Sequence, residues 1–196
     1  MASKIKVDQI QTADGTGTIA LQNQLSGMTT TSLPAGAILQ TVESSTTTNT
    51  TTTTTSTWID TASSATITPA STSSKILVFV NAPIYMNNTA ADAGYNLRMS
   101  RAISGGSTSY PDSLSGGSNG HNDISFMYQY GGTGTSYIHE WNSREIITGL
   151  DSPSTTSAVT YKLQMKGTSS AHFRINNYNS SANEACSSMT LMEIAG

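Results

Sequence analysis

The sequence is short of charge, of cysteine and of long apolar runs. Only 11% of its 196 residues are charged, against about 25% in an ordinary soluble domain. The net charge of −3 offers no basic excess for nucleic-acid phosphates, so we expect no nucleic-acid partner. The single cysteine, Cys186, excludes an intrachain disulfide and a multi-cysteine metal site. The longest purely aliphatic and aromatic run covers residues 76–80, so no segment is expected to insert into a membrane.

Small hydroxyl side chains take the place of charged ones. The chain contains 31 Thr and 30 Ser, close to a third of its residues. Apolar residues still make up 36%, and they cluster in short runs, so the chain can build a core. A modest core with few charges is typical of a subunit that buries apolar surface against other copies. The composition therefore predicts an oligomer.

Apolar and polar residues alternate with a period of two. The alternation is clearest in residues 161–166 and recurs in 97–103, 137–141 and 172–176, and it predicts half-buried strands. Residues 76–80 are apolar throughout and predict a strand covered on both faces. No stretch of a dozen residues shows a helical apolar stripe, and turn-forming Gly, Ser and Asn clusters separate the runs. This pattern predicts an all-β, jelly-roll-like sandwich.

Two segments near the start differ from the rest. Residues 46–57 are nearly pure Thr and Ser. We favour a strand there, because Thr is β-branched, and a low-complexity linker is the alternative. In residues 1–32, Asp14-Gly15 separates two β-prone runs and predicts a hairpin, which needs a partner to be stable. The motif of residues 33–36, which contains Pro and Gly, marks a boundary. We therefore predict an arm, 1–32, and a sandwich domain, 33–196.

Several segments resemble a known family. Residues 3–12 (SKIKVDQIQT) and 14–19 (DGTGTI) resemble the amino-terminal segment of virion fibre proteins of tailed bacteriophages, especially marine and cyanobacterial phages. Residues 33–42 are similar to the beginning of the carboxy-terminal domain of those fibres. Similarity to its first and last strands lies in residues 58–61, 67–78 and 189–194. About 82–181 carry no motif of the family, and variable loops there would provide specificity.

The resemblance implies a structural virion protein, usually a homotrimer without a catalytic centre, assembled in the cytoplasm of the bacterial host. The sequence lacks the long repetitive shaft of a fibre. The preferred interpretation is a short trimeric tail fibre or spike that contacts the host surface. The alternative is a trimeric capsid decoration protein with no host ligand. The expected partners are further copies of the chain, another virion protein held by the arm, and a host surface glycan.

Three sets of residues are candidates for these contacts. Attachment to the virion is assigned to apolar residues of the arm, namely Ile5, Val7, Ile10, Ile19 and Leu21. The trimer interface is assigned to the last strand, which is apolar on both faces through Met189, Leu191, Met192 and Ile194. Glycan contacts are assigned to loop aromatic, amide and imidazole groups, namely Tyr110, Asn119, His121, Asn122, Tyr178 and Asn179. Tyr137 and Trp141 share a predicted strand face and are expected in the core.

The sequence carries no motif of an enzyme or a metal site. The three histidines lack the spacing of metal ligands, and the glycine pairs are not phosphate loops. No Gly-x-Ser-x-Gly motif is present. The carboxylates of the second half are Glu140, Glu145, Asp151 and Glu184, and their spacing indicates no catalytic pair. We predict no catalytic residue, cofactor or metal. A glycan-cleaving or esterase spike stays a third hypothesis, and it requires carboxylates or a serine clustered in a groove.

Overall fold

The computed structural model divides the chain into two units, Met1–Leu33 and Pro34–Gly196. The described residues are 33–88, 92–116, 125–130, 139–168, 172–177 and 185–196, with backbone alone at 88, 92–93, 125–130 and 139. The predicted hairpin arm, with Ile5, Val7, Ile10, Ile19 and Leu21, lies outside the described residues.

The regular secondary structure in the described part of the second unit is almost all β-strand. Its strands are β1 (Ile38–Thr46), β2 (Thr50–Thr52), β3 (Ile59–Ile67), β4 (Lys75–Asn88), β5 (Asp92–Ile103), β6 (Thr108–Ser109), β7 (Ser125–Tyr130), β8 (His139–Asp151), β9 (Val159–Gly167), β10 (His172–Ile175) and β11 (Ser187–Ile194). A four-residue helix, α1 (Asp112–Ser115), follows β6.

The strands form two antiparallel sheets. In the first sheet, β4 pairs with β8 along one edge, and with β11 and then β10 along the other. The strands β1 and β2 extend that sheet beyond β11 and β10. The second sheet has the order β3-β9-β5, and β7 and β6 share the far edge of β5. The facing orders β1-β11-β4-β8 and β3-β9-β5-β7 are those of a jelly roll, so the predicted fold class is confirmed.

The core lies between the two sheets, and strand alternation decides which side chains enter it. Tyr161, Leu163 and Met165 of β9 are at most 1% exposed. Leu97 and Met99 of β5 are fully buried opposite them in the register. The alternation predicted for these two strands is confirmed, and their polar neighbours therefore face outward from the second sheet.

Within a single chain, residues 76–80 are covered on one face, and the predicted cover on the second face is absent from the described residues. Ile76, Val78 and Val80 are fully buried in the core. Phe79 is 39% exposed, and Leu77 is half-buried. The reason is that β4 lies in an outer sheet, and no described part of the chain forms a third layer over it.

The assignment of the last strand to the trimer interface is wrong for two of its four residues. Met189 and Leu191 are fully buried in the core of a single chain, so they leave no surface for another copy. Met192 and Ile194 alternate with them and lie on the outward face, where both are partly exposed. The apolar side chains of β11 therefore point alternately into the core and onto the outward face of the sheet.

The threonine-rich run is strand in part and loop in part. β1 ends at Thr46, and β2 covers three residues from Thr50. Between and after them, threonine hydroxyls accept hydrogen bonds from backbone N–H groups two residues later. Thr46 Oγ1 accepts from the amide of Thr48, and Thr52 Oγ1 from that of Thr54, each at 3.1 Å. The hydroxyls therefore stabilise local turns.

Tyrosine hydroxyls of the second sheet reach carboxylates of the first. Tyr161 in β9 donates to Asp151 Oδ2 in β8 at 2.7 Å, and Arg101 in β5 donates to both oxygens of Asp151 at 2.9 Å. Tyr95 in β5 donates to Glu145 Oε1 in β8 at 2.6 Å. The pKa values of both tyrosines are raised, mainly by burial and secondly by the hydrogen bond to the carboxylate. These bonds fix the spacing of the two sheets.

The beginning of the domain is fastened to its last strand. Gly36 has a φ of +89°, and the amide of Ala37 donates to the carbonyl of Pro34 at 3.1 Å, which is a type II turn. The amide of Gly36 donates to the carbonyl of Ala195, and the amide of Ala195 to that of Ala37, both at 2.8 Å. The predicted Pro-Gly boundary is therefore a turn that joins the two ends of the sandwich.

Candidate functional site

A row of polar side chains crosses three strands on the outward face of the second sheet. Asp60, Gln164 and Arg98 are neighbours in the register of β3, β9 and β5. Gln164 Nε2 donates to Asp60 Oδ1 at 2.7 Å, and Arg98 Nε donates to Gln164 Oε1 at 2.7 Å. A carboxylate, an amide and a guanidinium are thus held in line on rigid backbone, and this orients each group before any ligand arrives.

Two aromatic rings contact the guanidinium at one end of this row. Arg98 Cζ lies 4.2 Å from the centre of the Trp58 ring and 3.8 Å from that of the Tyr110 ring. Trp58 directly precedes β3, and Tyr110 directly follows β6, so the rings come from the two outer strands of the order β3-β9-β5-β6. Arg98 is only 7% exposed. Cation–π contacts therefore help to hold a nearly buried charge in place.

Two lysines complete the charge distribution. Lys162 Nζ lies 2.9 Å from Asp60 Oδ2, and Lys166 Nζ lies 4.8 Å from the centre of the Trp58 ring. Burial alone would raise the pKa of Asp60, but hydrogen bonds from Lys162 and Gln164 and the charges of Lys162 and Arg98 lower it. Burial lowers the pKa of Arg98, and Tyr110 and Asp60 oppose that change. Asp60 is therefore held as a carboxylate.

These side chains border a hollow of about 210 Å³. It is lined by Asp60, Ser100, Ala102, Thr108, Tyr110, Thr160, Lys162 and Gln164. We call this hollow, together with the adjacent Trp58, Arg98 and Lys166, the outer groove. Its volume is below the roughly 300–1,000 Å³ of pockets for drug-sized ligands. One small ring with polar substituents is therefore the scale of group that it admits.

Tyr110 is the predicted glycan contact that the structure places in the outer groove, and its side chain is 41% exposed. The other candidates, Asn119, His121, Asn122, Tyr178 and Asn179, lie outside the described residues. The prediction that Trp141 is a core residue is wrong, because Trp141 is 49% exposed on the edge strand β8. Its predicted neighbour in the core, Tyr137, lies outside the described residues.

The sequence-based search missed most of the outer groove. Arg98, Gln164 and Lys166 stand on the polar side of alternating strands, and that side was visible in the sequence. Trp58 and Asp60 belong to a third strand, and its position beside β9 depends on the order of strands in the sheet. The polar faces of the predicted strands contain each of these residues, but the sequence does not show that they lie next to one another.

A second surface is the outward face of the first sheet. It carries exposed or partly exposed apolar side chains on four neighbouring strands, and we call it the apolar face. Its members are Ile38, Leu77, Phe79, Ile146, Leu150, Met192 and Ile194. Ile38 and Ile146 are the most exposed, at 60% and 62%. Contiguous exposed apolar surface of this kind is typical of contacts with protein.

Carboxylates of the second half bond to tyrosines. Glu140 accepts from the hydroxyl of Tyr85 at 3.0 Å, and Glu145 and Asp151 accept from Tyr95 and Tyr161 as described above. Glu184 lies outside the described residues. In the described ranges, no group of three or more His, Cys, Asp or Glu side chains is arranged to hold a metal ion. The described helix is also too short and too polar to span a membrane.

Comparison with known proteins identifies no family for this chain. No protein-family model matches it, and no curated protein matches it. The similarity of its terminal segments to phage virion fibres therefore stays a prediction. The inference of function rests on the sandwich and on its two outer surfaces.

Proposed function

We propose that the chain is a structural virion protein of a tailed phage, a short trimeric tail fibre or spike whose sandwich contacts the host surface. The observation that carries the proposal is the outer groove, where Tyr110 and Trp58 lie beside amide, hydroxyl and charged groups. Sugars offer an apolar ring face and a rim of hydroxyls, so an aromatic ring with adjacent hydrogen-bonding groups suits them. The resemblance of both ends of the chain to phage fibres supports the virion role.

Binding by this groove needs little rearrangement of the protein. Gln164 is fixed by Asp60 on one side and Arg98 on the other, so its amide loses little freedom when a ligand binds. A single small hollow gives weak affinity. Three copies in a trimer, and several trimers on a particle, raise the effective concentration of sites and convert weak contacts into firm attachment.

The apolar face supports contact between copies of the chain. Met192 and Ile194, which were predicted for the interface, belong to it, and Phe79, Ile146 and Leu150 extend it across β4 and β8. Packing against a second copy would bury this surface, which water now contacts. We therefore propose the apolar face as the contact between copies, in place of the buried Met189 and Leu191.

The molar mass in solution tests this assembly. Light scattering of the purified chain should give three times the mass of one chain, and Ile146→Glu should lower that mass while the circular dichroism stays unchanged. Ala62→Glu places the same charge on an exposed position of β3 and should leave the trimer intact. A monomeric wild-type protein would refute the trimer. A trimeric Ile146→Glu variant would place the contact elsewhere.

A capsid decoration protein is the second candidate function, and the apolar face favours it, since a sheet face can also rest on a protein shell. Gold-labelled antibody to the sandwich, viewed on intact particles by electron microscopy, separates the two. Label at the tail supports the fibre or spike. Label spread over the head supports decoration. Particles without label would overturn both virion roles.

The proposed function includes no catalysis, which leaves the enzymatic spike as a hypothesis to be tested directly. Incubation of the protein with envelope polysaccharide of the host should release no reducing ends. A sustained release that depends on Asp60, the carboxylate of the outer groove, would show that the protein cleaves glycans.

A further inference from the structure

The outer groove is locally positive on a chain whose net charge is −3. Arg98, Lys162 and Lys166 lie around it, whereas Asp60 supplies the negative charge among its described residues. Lys162 and Asp60 offset one another at 2.9 Å. Two positive charges then remain in the outer groove: Arg98 packs on Tyr110, which lines the hollow, and Lys166 Nζ lies near the Trp58 ring. Such a place attracts anions more strongly than an open surface does.

Arg98 is nearly buried, yet no carboxylate of the described residues forms an ion pair with it. Its Nε donates to Gln164, and its guanidinium faces Trp58 and Tyr110. Its two terminal nitrogens have no hydrogen-bond partner among the described residues, and Lys166 has no carboxylate partner there either. A guanidinium offers a planar pair of N–H groups that matches an anion with two oxygens. The unused donors of Arg98 therefore suit an acidic group on a ligand.

The shape of the hollow suits a single sugar ring. Ser100, Thr108 and Thr160 supply hydroxyls along it, and the Tyr110 ring is 41% exposed beside them. Ser100 Oγ already donates to the carbonyl of Lys162 at 3.3 Å, and Thr160 Oγ1 shares a hydrogen bond with Thr66 Oγ1 at 2.8 Å. Their remaining lone pairs can accept from the hydroxyl groups of a sugar, and Thr108 can donate or accept. An inorganic anion would use the cations alone and leave the aromatic ring and these hydroxyls without a role.

We propose that the outer groove binds an acidic saccharide, a sugar residue that carries a carboxylate or a sulfate group. The ring contacts Tyr110 and the hydroxyls of the hollow, and the acidic group pairs with Arg98 and Lys166. This inference rests on the proposed contact with the host and names the chemical class of its ligand.

Calorimetry on the full chain tests the ligand class with three oligosaccharides of equal length. One is built of galacturonate, one of sulfated galactose and one of unmodified galactose. We expect at least one acidic oligosaccharide to bind about tenfold more tightly than the neutral one in dilute buffer. The difference should shrink toward 0.5 M salt, because added ions screen the charges. The acidic oligosaccharide that binds more tightly shows whether the groove prefers a carboxylate or a sulfate.

Two matched variants locate the charge. Lys166→Gln removes a cation from the outer groove, and Lys75→Gln removes one from an exposed position on the first sheet. Both change the net charge by the same amount. We expect Lys166→Gln to weaken acidic binding by up to about fivefold, in line with the strength of exposed ion pairs, and Lys75→Gln to leave it unchanged. Equal losses in both variants would overturn the placement in the groove.

The outcomes separate this inference from the proposed function. Equal affinity for acidic and neutral oligosaccharides would overturn the acidic ligand and support glycan contact by the host-facing domain. No binding of any oligosaccharide would also overturn the inference. The virion role is tested independently, by label on the particles.

Discussion

The replacement Tyr161→Phe removes one hydroxyl that links the two sheets. Tyr161 is fully buried, and its hydroxyl donates to Asp151 at 2.7 Å. A hydrogen bond to a charged group is worth about 1.5–3 kcal/mol. Because Arg101 still donates to both oxygens of Asp151, the carboxylate keeps a partner. At neutral pH, Tyr161→Phe should therefore lower the free energy of unfolding by about 1.5 kcal/mol, the lower limit of that range.

The effect of this replacement should change sign at high pH. Burial, and then the bond to Asp151, raises the pKa of Tyr161 above its ordinary value of 10.0. Below pH 10 the Tyr161 hydroxyl is protonated in both the folded and the unfolded chain, and its hydrogen bond contributes its full stabilisation. Above pH 10 the unfolded chain releases that proton while the folded chain keeps it. The wild-type protein then loses about 1.4 kcal/mol per pH unit relative to the Phe variant, and the two stabilities should be equal at about pH 11.

Urea unfolding followed by circular dichroism at pH 8, 10 and 11 measures this difference, with equal chain concentrations because assembly shifts stability. Tyr110→Phe is the matched control, since it removes the hydroxyl of an exposed tyrosine and should change the stability at pH 8 little. A stability difference between wild type and Tyr161→Phe that stays constant from pH 8 to 11 would refute the buried hydroxyl bond.

Three further predictions concern the packing of the sandwich and one buried carboxylate. Gly149→Ala should destabilise the sandwich by about 1–3 kcal/mol, since the added Cβ collides with α1. In Gly106→Ala the added Cβ meets Ile103 at an ordinary contact distance of 3.4 Å, so the midpoint of urea unfolding should change little. Leu191→Ala should cost about 2–5 kcal/mol through a core cavity, and Thr190→Ala, one position away on the outward face, should cost far less; equal losses in calorimetry would contradict the strand's orientation. Burial acts to raise the pKa of Glu193, but hydrogen bonds hold that pKa below 4.5. The ionised carboxylate therefore stabilises the fold above pH 4.5, and this stabilisation disappears as the pH falls. In acid titrations, Glu193→Gln should lose less stability than the wild type.

Period-two alternation was sufficient to predict the fold class, because a buried face repeats along each strand whatever its neighbours are. Tyr161, Leu163 and Met165 face the core as predicted. Alternation fails for runs that are apolar on both faces. Residues 76–80 and the last strand both have one buried and one outward face, and the sequence cannot tell an exposed apolar face from a covered one. The reason is that the cover belongs to other elements or to other chains.

Prediction of the outer groove required knowledge of which strands are adjacent, and no local stretch of the sequence shows this. Asp60, Gln164 and Arg98 come from three strands, and each was visible only as a polar residue of its own run. Their meeting depends on which strands are adjacent, and strand order is a long-range property of the fold. Tyr110 was found because an aromatic residue between turn-forming neighbours indicates exposure. Trp141 was misjudged because a strand at the edge of a sheet exposes side chains that a central strand would bury.

If the proposed phage role holds, the most direct test of the account is attachment of the fluorescently labelled chain to bacterial cells of the host. We predict that wild-type protein binds to the cells and that the double variant Trp58→Ala/Tyr110→Ala, checked for an unchanged circular dichroism spectrum, does not. Trp141→Ala removes an exposed aromatic ring from the other sheet and should bind like the wild type. Undiminished binding by the double variant would contradict a host contact through the outer groove.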